Sequence, residues 1–438
     1  MLKMRKSELF VSLILLLSSL QSCGMPGNNT VLTIRTYHGL ISIDSLVILQ
    51  GNEFVIENDI DLQGAVCKIP EGMTLRFAGG KIRNGQLDGN NTKIQYYGQV
   101  FENVSIIGSW NVPLIKSSMF ADLSYPNALK DVLALASPKV RNTIEIEPGF
   151  YTVVAEKNGD VCLRTCSNTE LVINGTIQLE PNDYSHYYIL QAEGHNIQIR
   201  GKGTIIGDKN THMGSMGEWG MGINIVKGHH VKISGLTVKD CWGDCIYIGS
   251  RSSDIEITRC LLNNGRRQGI SITSGCNIYI HNCTITDIGG TPPEYAIDIE
   301  PNEADTVSNV RIKLVIIENC IGGVMSTIYG RDARSKVENI EIRHCQISTE
   351  GDEPLRITRC DTAAVSHNKI YATSKTAMIN LYQVGYVKLE KNTLNINHEL
   401  LSTIKNSLMS LVDRGSYQSV KKMQCGTIEE KGNRIIFR

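Results

Sequence analysis

The stretch Trp242–Pro301 decides the fold. It contains W-G-D-C-I-Y-I (242–248), G-R-R-Q-G-I-S-I (265–272) and E-Y-A-I-D-I-E-P (294–301). Each piece alternates apolar and polar residues, as a short strand does when side chains point to opposite faces in turn. With Ile246, Ile248, Ile270, Ile272, Ile297 and Ile299 inward, the residues Tyr247, Ser271, Asp298 and Glu300 face outward. Asp244, Arg267 and Gln268 stand where the strands begin.

The pattern recurs outside this stretch. Aligning the small or polar residue that follows each strand gives Gly235, Cys260, Cys283, Cys320, Cys345, Asn368 and Asn392, at spacings of 25, 23, 37, 25, 23 and 24. Strand-and-turn repeats of this length predict an all-β solenoid, a right-handed parallel β-helix of stacked coils. The long interval predicts an insertion around Thr291–Pro293 and Pro301–Ser308. Residues 23–118 read as an N-terminal β-rich region and 119–400 as the β-helix. An amphipathic helix at 126–137 caps its start, and 401–438, with a helical stretch at 400–412, caps its end.

Composition narrows the classes. The 438 residues carry no formal net charge, so no basic field points to nucleic acid. Lys3, Arg5 and Lys6 precede an apolar run at 9–20, too short to span a bilayer, followed by Leu20-Gln21-Ser22-Cys23-Gly24. Residues 1–22 resemble a bacterial lipoprotein signal. That resemblance implies lipidation of Cys23, a lipid anchor, and a place in the cell envelope (periplasmic or outer-membrane). Of the 13 cysteines, Cys260, Cys283, Cys320 and Cys345 fall at repeat positions, as small buried hydrophobes do. Cys162/Cys166 and Cys241/Cys245 lack a matching pair at zinc spacing, and no metal centre is expected there.

The strands, the early helix and the following E-P-G-F-Y-T-V segment (147–153) resemble the pectin-lyase-like family of right-handed parallel β-helices. The resemblance covers about residues 120–400. Within that family the rungs are similar to those of polygalacturonases, which carry G-D-D-C-I, then G-H-G, then R-I-K. The same rungs here read Trp242-Gly243-Asp244-Cys245-Ile246, Arg267-Gln268-Gly269 and Asp298-Ile299-Glu300. Asp244 matches one family aspartate. Gln268 takes the histidine position, and Asp298 and Glu300 take the basic positions. Met221 stands where another aspartate is found one rung earlier. Two acids repel a uronate carboxylate, so the pattern implies a glycan-acting enzyme of different specificity.

Asp298 and Glu300 are expected about 6.5–7 Å apart on one face, with Asp244 two coils away at about 9–10 Å. Three grouped carboxylates suit acid/base cleavage of a glycosidic bond, with no cofactor. The bland readings are a solvated face or a calcium site. Arg266, Arg267 and Gln268, the aromatic residues Trp219, Trp242 and Tyr247, and Arg356 on the same outward ladder are the expected substrate-binding groups. Tyr295 joins the aromatics, and Glu218 offers a further acid. His212, His229 and His230 have no assigned role. A lyase or epimerase, and a non-catalytic glycan-binding β-helix, are the alternatives. Oligomeric state is not readable. Replacing Cys23 with Ala is expected to release the protein from membranes, and an unchanged distribution on fractionation would remove the anchor.

Overall fold

The structure, a computed structural model, describes residues 30–33, 46–50, 52–328, 334–351, 353–372, 378–396 and 420–437. Cys23 and the 400–412 stretch lie outside the described residues. The chain divides into two compact units. One comprises residues up to 152 with 166–172, and the other comprises 153–165 with 173 onward.

In the first unit a short antiparallel meander, Thr30–Thr33, Leu46–Gln50 and Glu53–Ile56, leads into parallel pairing. The long strand Ile82–Gln95 then pairs in parallel with Phe101–Trp110. This region is therefore itself coiled. The expected helix is shorter than its pattern, Leu129–Ala134, and buries Leu129, Val132 and Leu133.

The second unit is built from three stacks of parallel strands. The first stack runs through Trp219–Ser234, Ile246–Gly249, Ile270–Ile272, Tyr295–Ile299, Gly322–Ser326, Leu355–Thr358 and Ile379–Tyr382. The second stack includes Ser252–Thr258, Gly275–His281 and Thr306–Lys313, and the third Leu261–Asn263, Thr284–Thr286 and Ile316–Cys320. Parallel stacking puts residues of equal phase on top of one another. Ile246, Ile270, Ile297, Val324 and Leu355 form one inward column, as the alternation predicts. All five are at most 1% exposed. Each such side chain contributes about 1.5–3 kcal/mol by leaving water.

The repeat positions differ in part from the sequence reading. The column following each second-stack strand is Leu236, Cys260, Cys283, Val315, Cys345, Asn368 and Asn392. Gly235 is off by one, and Val315 displaces Cys320. Two successive rungs, not one, are lengthened. The cysteines of this column are free thiols. A left-handed residue precedes most members: Arg259, Asn282, Leu314, His344, His367 and Lys391 all have φ between 53° and 57°. That conformation favours asparagine and tightens the corner.

Past residue 345 the column turns polar. Asn368 and Asn392 are about 1% exposed and stack as a ladder. Asn392 Oδ1 accepts from Asn368 N (3.1 Å) and Nδ2 (3.0 Å), and Asn392 Nδ2 donates to Val365 O (2.8 Å) and Asn433 Oδ1 (3.1 Å). Asn433 belongs to the tail, whose strands Val420–Met423, Thr427–Lys431 and Arg434–Phe437 add a further rung. Asn392→Ala would orphan buried backbone groups and is expected to cost about 2–4 kcal/mol. Lys232→Ala, at a surface ion pair with Glu256 (2.9 Å), is expected to cost under about 1 kcal/mol. Urea denaturation of both variants compares the two; equal losses would contradict the ladder's role.

Candidate active site

The outward ladder of the first stack runs Gln191, Asn224, Tyr247, Ser271, Asp298, Met325, Arg356 and Asn380. Its middle holds the acids. Ile246 pairs with Ile270, so Asp244, two residues earlier, stands at the level of Gln268. The Ser271 hydroxyl donates to Asp244 Oδ2 at 2.7 Å. Gln268 Nε2 donates to Asp298 Oδ2 at 2.9 Å, and its Oε1 accepts from Tyr295 N at 2.8 Å. No protein donor reaches Oδ1 of Asp244 or Oδ1 of Asp298.

The expected trio is brought together, but not on an open face. Asp244 is 0% and Asp298 2% exposed, while Glu300 is half-buried. A loop that sequence periodicity does not show packs beside them. Residues 208–218 cross this end of the rungs, and Glu218 O would lie 2.4 Å from a Cβ at position 243, so only glycine fits there. The Glu218 carboxylate then meets Arg267 Nε at 3.2 Å, and Arg267 Nη1 lies 4.0 Å from Asp244 Oδ2.

Burial governs the protonation of these groups. It pushes the Asp244 carboxyl up to about 6, against the pull of Arg267 and the Ser271 hydroxyl. It raises Asp298 well above the carboxylate range, and the neighbouring Glu300 charge raises it further. Glu300 is raised by burial too, although a hydrogen bond from Asp298 favours its ionised form. The proton of the pair therefore rests on Asp298, aimed at Glu300. Such a pair titrates as a unit.

Other expected binding residues take different parts. Arg266 turns away from the acids. Its Nη1 donates to Gly217 O (2.9 Å) and Trp242 O (3.0 Å), and its guanidinium lies 3.6 Å over the Trp242 ring. Trp242 stacks on His212 at 3.8 Å, so both indole faces are occupied and neither is open to a sugar. Gln268 is fully buried and orients Asp298 instead of meeting substrate. Tyr295 is buried as well. Arg356 does lie on the outward ladder, but its Nε pairs with Glu353 at 3.0 Å, beside Asn380 Nδ2 (2.9 Å) and the Tyr295 hydroxyl (3.3 Å). Tyr247 stays on the outward ladder, with its hydroxyl accepting from the Thr273 hydroxyl at 2.7 Å. Trp219 is 49% exposed, an open aromatic surface as expected.

His212 has a role that its sequence context hides. Its side chain is wholly buried, and Nδ1 meets Asp208 Oδ2 at 2.8 Å. Asp208 also accepts from the Tyr187 hydroxyl and from Asn182 Nδ2 at 3.0 Å. Tyr187, Asp208, His212, Trp242 and Arg266 thus form one packed series that ends on the Glu218 loop. The aspartate four residues before His212 was the available signal. Among the described residues, no three acidic, histidine or cysteine side chains form a metal cluster.

The raised Asp244 pKa carries a stability sign. A carboxyl whose folded pKa (about 6) exceeds its ordinary 3.8 holds its proton more tightly when folded. Its contribution is present at low pH and lost as pH rises through 6, on the order of 3 kcal/mol. Asp244→Asn keeps an acceptor for Ser271 without the charge. Relative to wild type the variant is expected to gain about 2–3 kcal/mol between pH 4 and pH 7.5 in urea denaturation. An unchanged difference between the two would contradict this account.

A family model described as a right handed beta helix region matches residues 153–302. Uncharacterized protein YclG of Bacillus subtilis (strain 168) is 31% identical over 235 residues, 46% of this chain and 39% of that protein. The SPbeta prophage-derived uncharacterized protein YorA of the same organism is 29% identical over 204 residues, 39% of this chain and 34% of that protein. The chain thus spans under two fifths of the length of these relatives. Among solved structures, the family 28 exopolygalacturonase of Yersinia enterocolitica is 10% identical, covers 76% of this chain and 79% of its own, and has a TM-score of 0.44. The A-module of the Azotobacter vinelandii mannuronan C-5 epimerase AlgE6 is 12% identical, covers 72% and 95%, and has a TM-score of 0.47. With rung paired to rung throughout the second unit and the family model matched across its first half, the chain contains a right-handed parallel β-helix.

Proposed function

We propose that this protein is a glycoside hydrolase acting on a neutral or weakly charged glycan. The observation that carries the reading is the Asp298–Glu300 pair. It is one buried, proton-holding carboxyl behind one that reaches solvent, in the middle of the outward ladder. In this reading Glu300 meets the glycosidic oxygen and passes to it the proton drawn from Asp298. Water adds to the anomeric carbon as the C–O bond breaks. Glu218, whose side chain is 42% exposed, takes the proton that water loses, and Asp244 holds the field that keeps Asp298 protonated. The reaction as written needs no cofactor, and calcium among the acids is the competing proposal.

A uronate-directed lyase or epimerase is disfavoured by charge. The guanidinium nearest the acids, Arg267, already faces Glu218 and Asp244. The low exposure of Asp244 and Asp298 favours one second reading, a β-helix that binds glycan without cleaving it. We further infer attachment to the cell envelope through Cys23.

Glu300→Gln and Asp298→Asn are each expected to lower turnover by a factor of about 10² or more, from lost general catalysis. Reducing ends released from a glycan panel measure this, on whichever glycan wild type cleaves. Near-wild-type turnover by both folded variants would remove the assignment. Binding without turnover by wild type would favour the second reading.

A further inference from the structure

Beside the acids, on the rungs before Asp244, lies a groove of about 350 Å³. Trp219, Tyr188, Tyr247, Met221, Val226 and Asn224 line it, with His186 and Ser250 as the other polar groups, and no carboxylate, lysine or arginine does. Asn224 is the informative residue. It is 2% exposed, yet its Oδ1 has no hydrogen-bond partner. A buried acceptor left unpaired costs roughly 1–3 kcal/mol, so something from outside the chain is expected to satisfy it.

Asn224 lines the groove, and chemistry settles which of its amide atoms is left unpaired. Glu193 is held by Arg164 Nη1 (2.5 Å), and its ionised carboxylate can only accept. Gln191 must therefore present Nε2 to Glu193 (2.9 Å) and Oε1 to Asn224. Asn224 in turn must donate Nδ2 to Gln191 Oε1 (3.1 Å), which leaves Oδ1 unpaired. The donor half of this amide is spent and the acceptor half is not. A sugar hydroxyl usually uses both halves of an amide, as donor and acceptor together. At Asn224 an acceptor alone, with Val226 two residues along the same face and Met221 close by, suits a group that donates once and carries an apolar end.

We infer that this groove is a recognition subsite for an acetamido sugar. The acetamide N–H donates to Asn224 Oδ1, its methyl lies against Val226 and Met221, and Trp219 covers the sugar ring. Glycan binding on this face rests on the reading proposed above, but the test reads binding and not turnover. Saturation-transfer NMR on the full chain would use the methyl glycosides of N-acetylglucosamine, N-acetylgalactosamine and N-acetylmannosamine, each beside its parent hexose. The acetamide methyl of at least one probe is expected to take the strongest saturation, with affinity at least tenfold above the parent hexose. Asn224→Ala is expected to cost that tenfold preference. Trp219→Ala, at an exposed site where folding is not at risk, is expected to weaken both sugars of the preferred pair. Equal binding of every acetamido sugar and its parent, or an unchanged preference in Asn224→Ala, would overturn the inference. Selective binding that persists in Glu300→Gln, with no turnover ever found, leaves the subsite standing and removes only the hydrolase.

Discussion

Parallel stacking in register is the constraint on which everything else depends. Adjacent strands sit about 4.8 Å apart, and each residue lies over its counterpart in the next coil. Inside, that rule favours columns of like shape, hence the isoleucines of the first stack. Outside, it sets polar groups close whether or not their charges agree. Asp244, Asp298 and Glu300 are crowded by this geometry, and the repulsion is relieved by holding protons and by the facing guanidinium of Arg267.

The loop at 208–218 turns this crowding into a site. It brings the Glu218 carboxylate to Arg267, the guanidinium that also faces Asp244. Its own position is set by packing at a distance: Asp208 holds His212, His212 stacks on Trp242, and Trp242 carries Arg266, which binds Gly217 O.

Strand alternation made much of this readable in advance. The inward column Ile246, Ile270, Ile297 and Leu355 follows from period two alone, and so does the shared outward face of Asp298, Glu300 and Arg356. Burial of the acids was not readable, because alternation alone points them outward; the approach of the Glu218 loop was not readable either, because it depends on a glycine, Gly243, whose need shows only in three dimensions. Trp242 and Arg266 were misread for a related reason. Their partners, His212 and Gly217, are 30 and 49 residues away, and neither follows the repeat. Cys320 misled the count because one strand end resembles another when an insertion shifts the phase; pairing puts Val315 in that column.

The near-constant rung length also bears on how the chain reaches this state. Most contacts in the second unit join residues a coil apart, and Cys260 to Cys283, at 23 residues, is typical. A completed coil offers the next a template, so order can spread along the axis from any nucleus, as in other solenoids. The lengthened interval from Cys283 to Val315, 32 residues, interrupts that spread very little. Lengthening a closing loop from 23 to 32 residues adds only about 0.3 kcal/mol of closure entropy. The rung that carries Asp298 and Glu300 could therefore acquire its extra loops during evolution with almost no kinetic penalty to assembly.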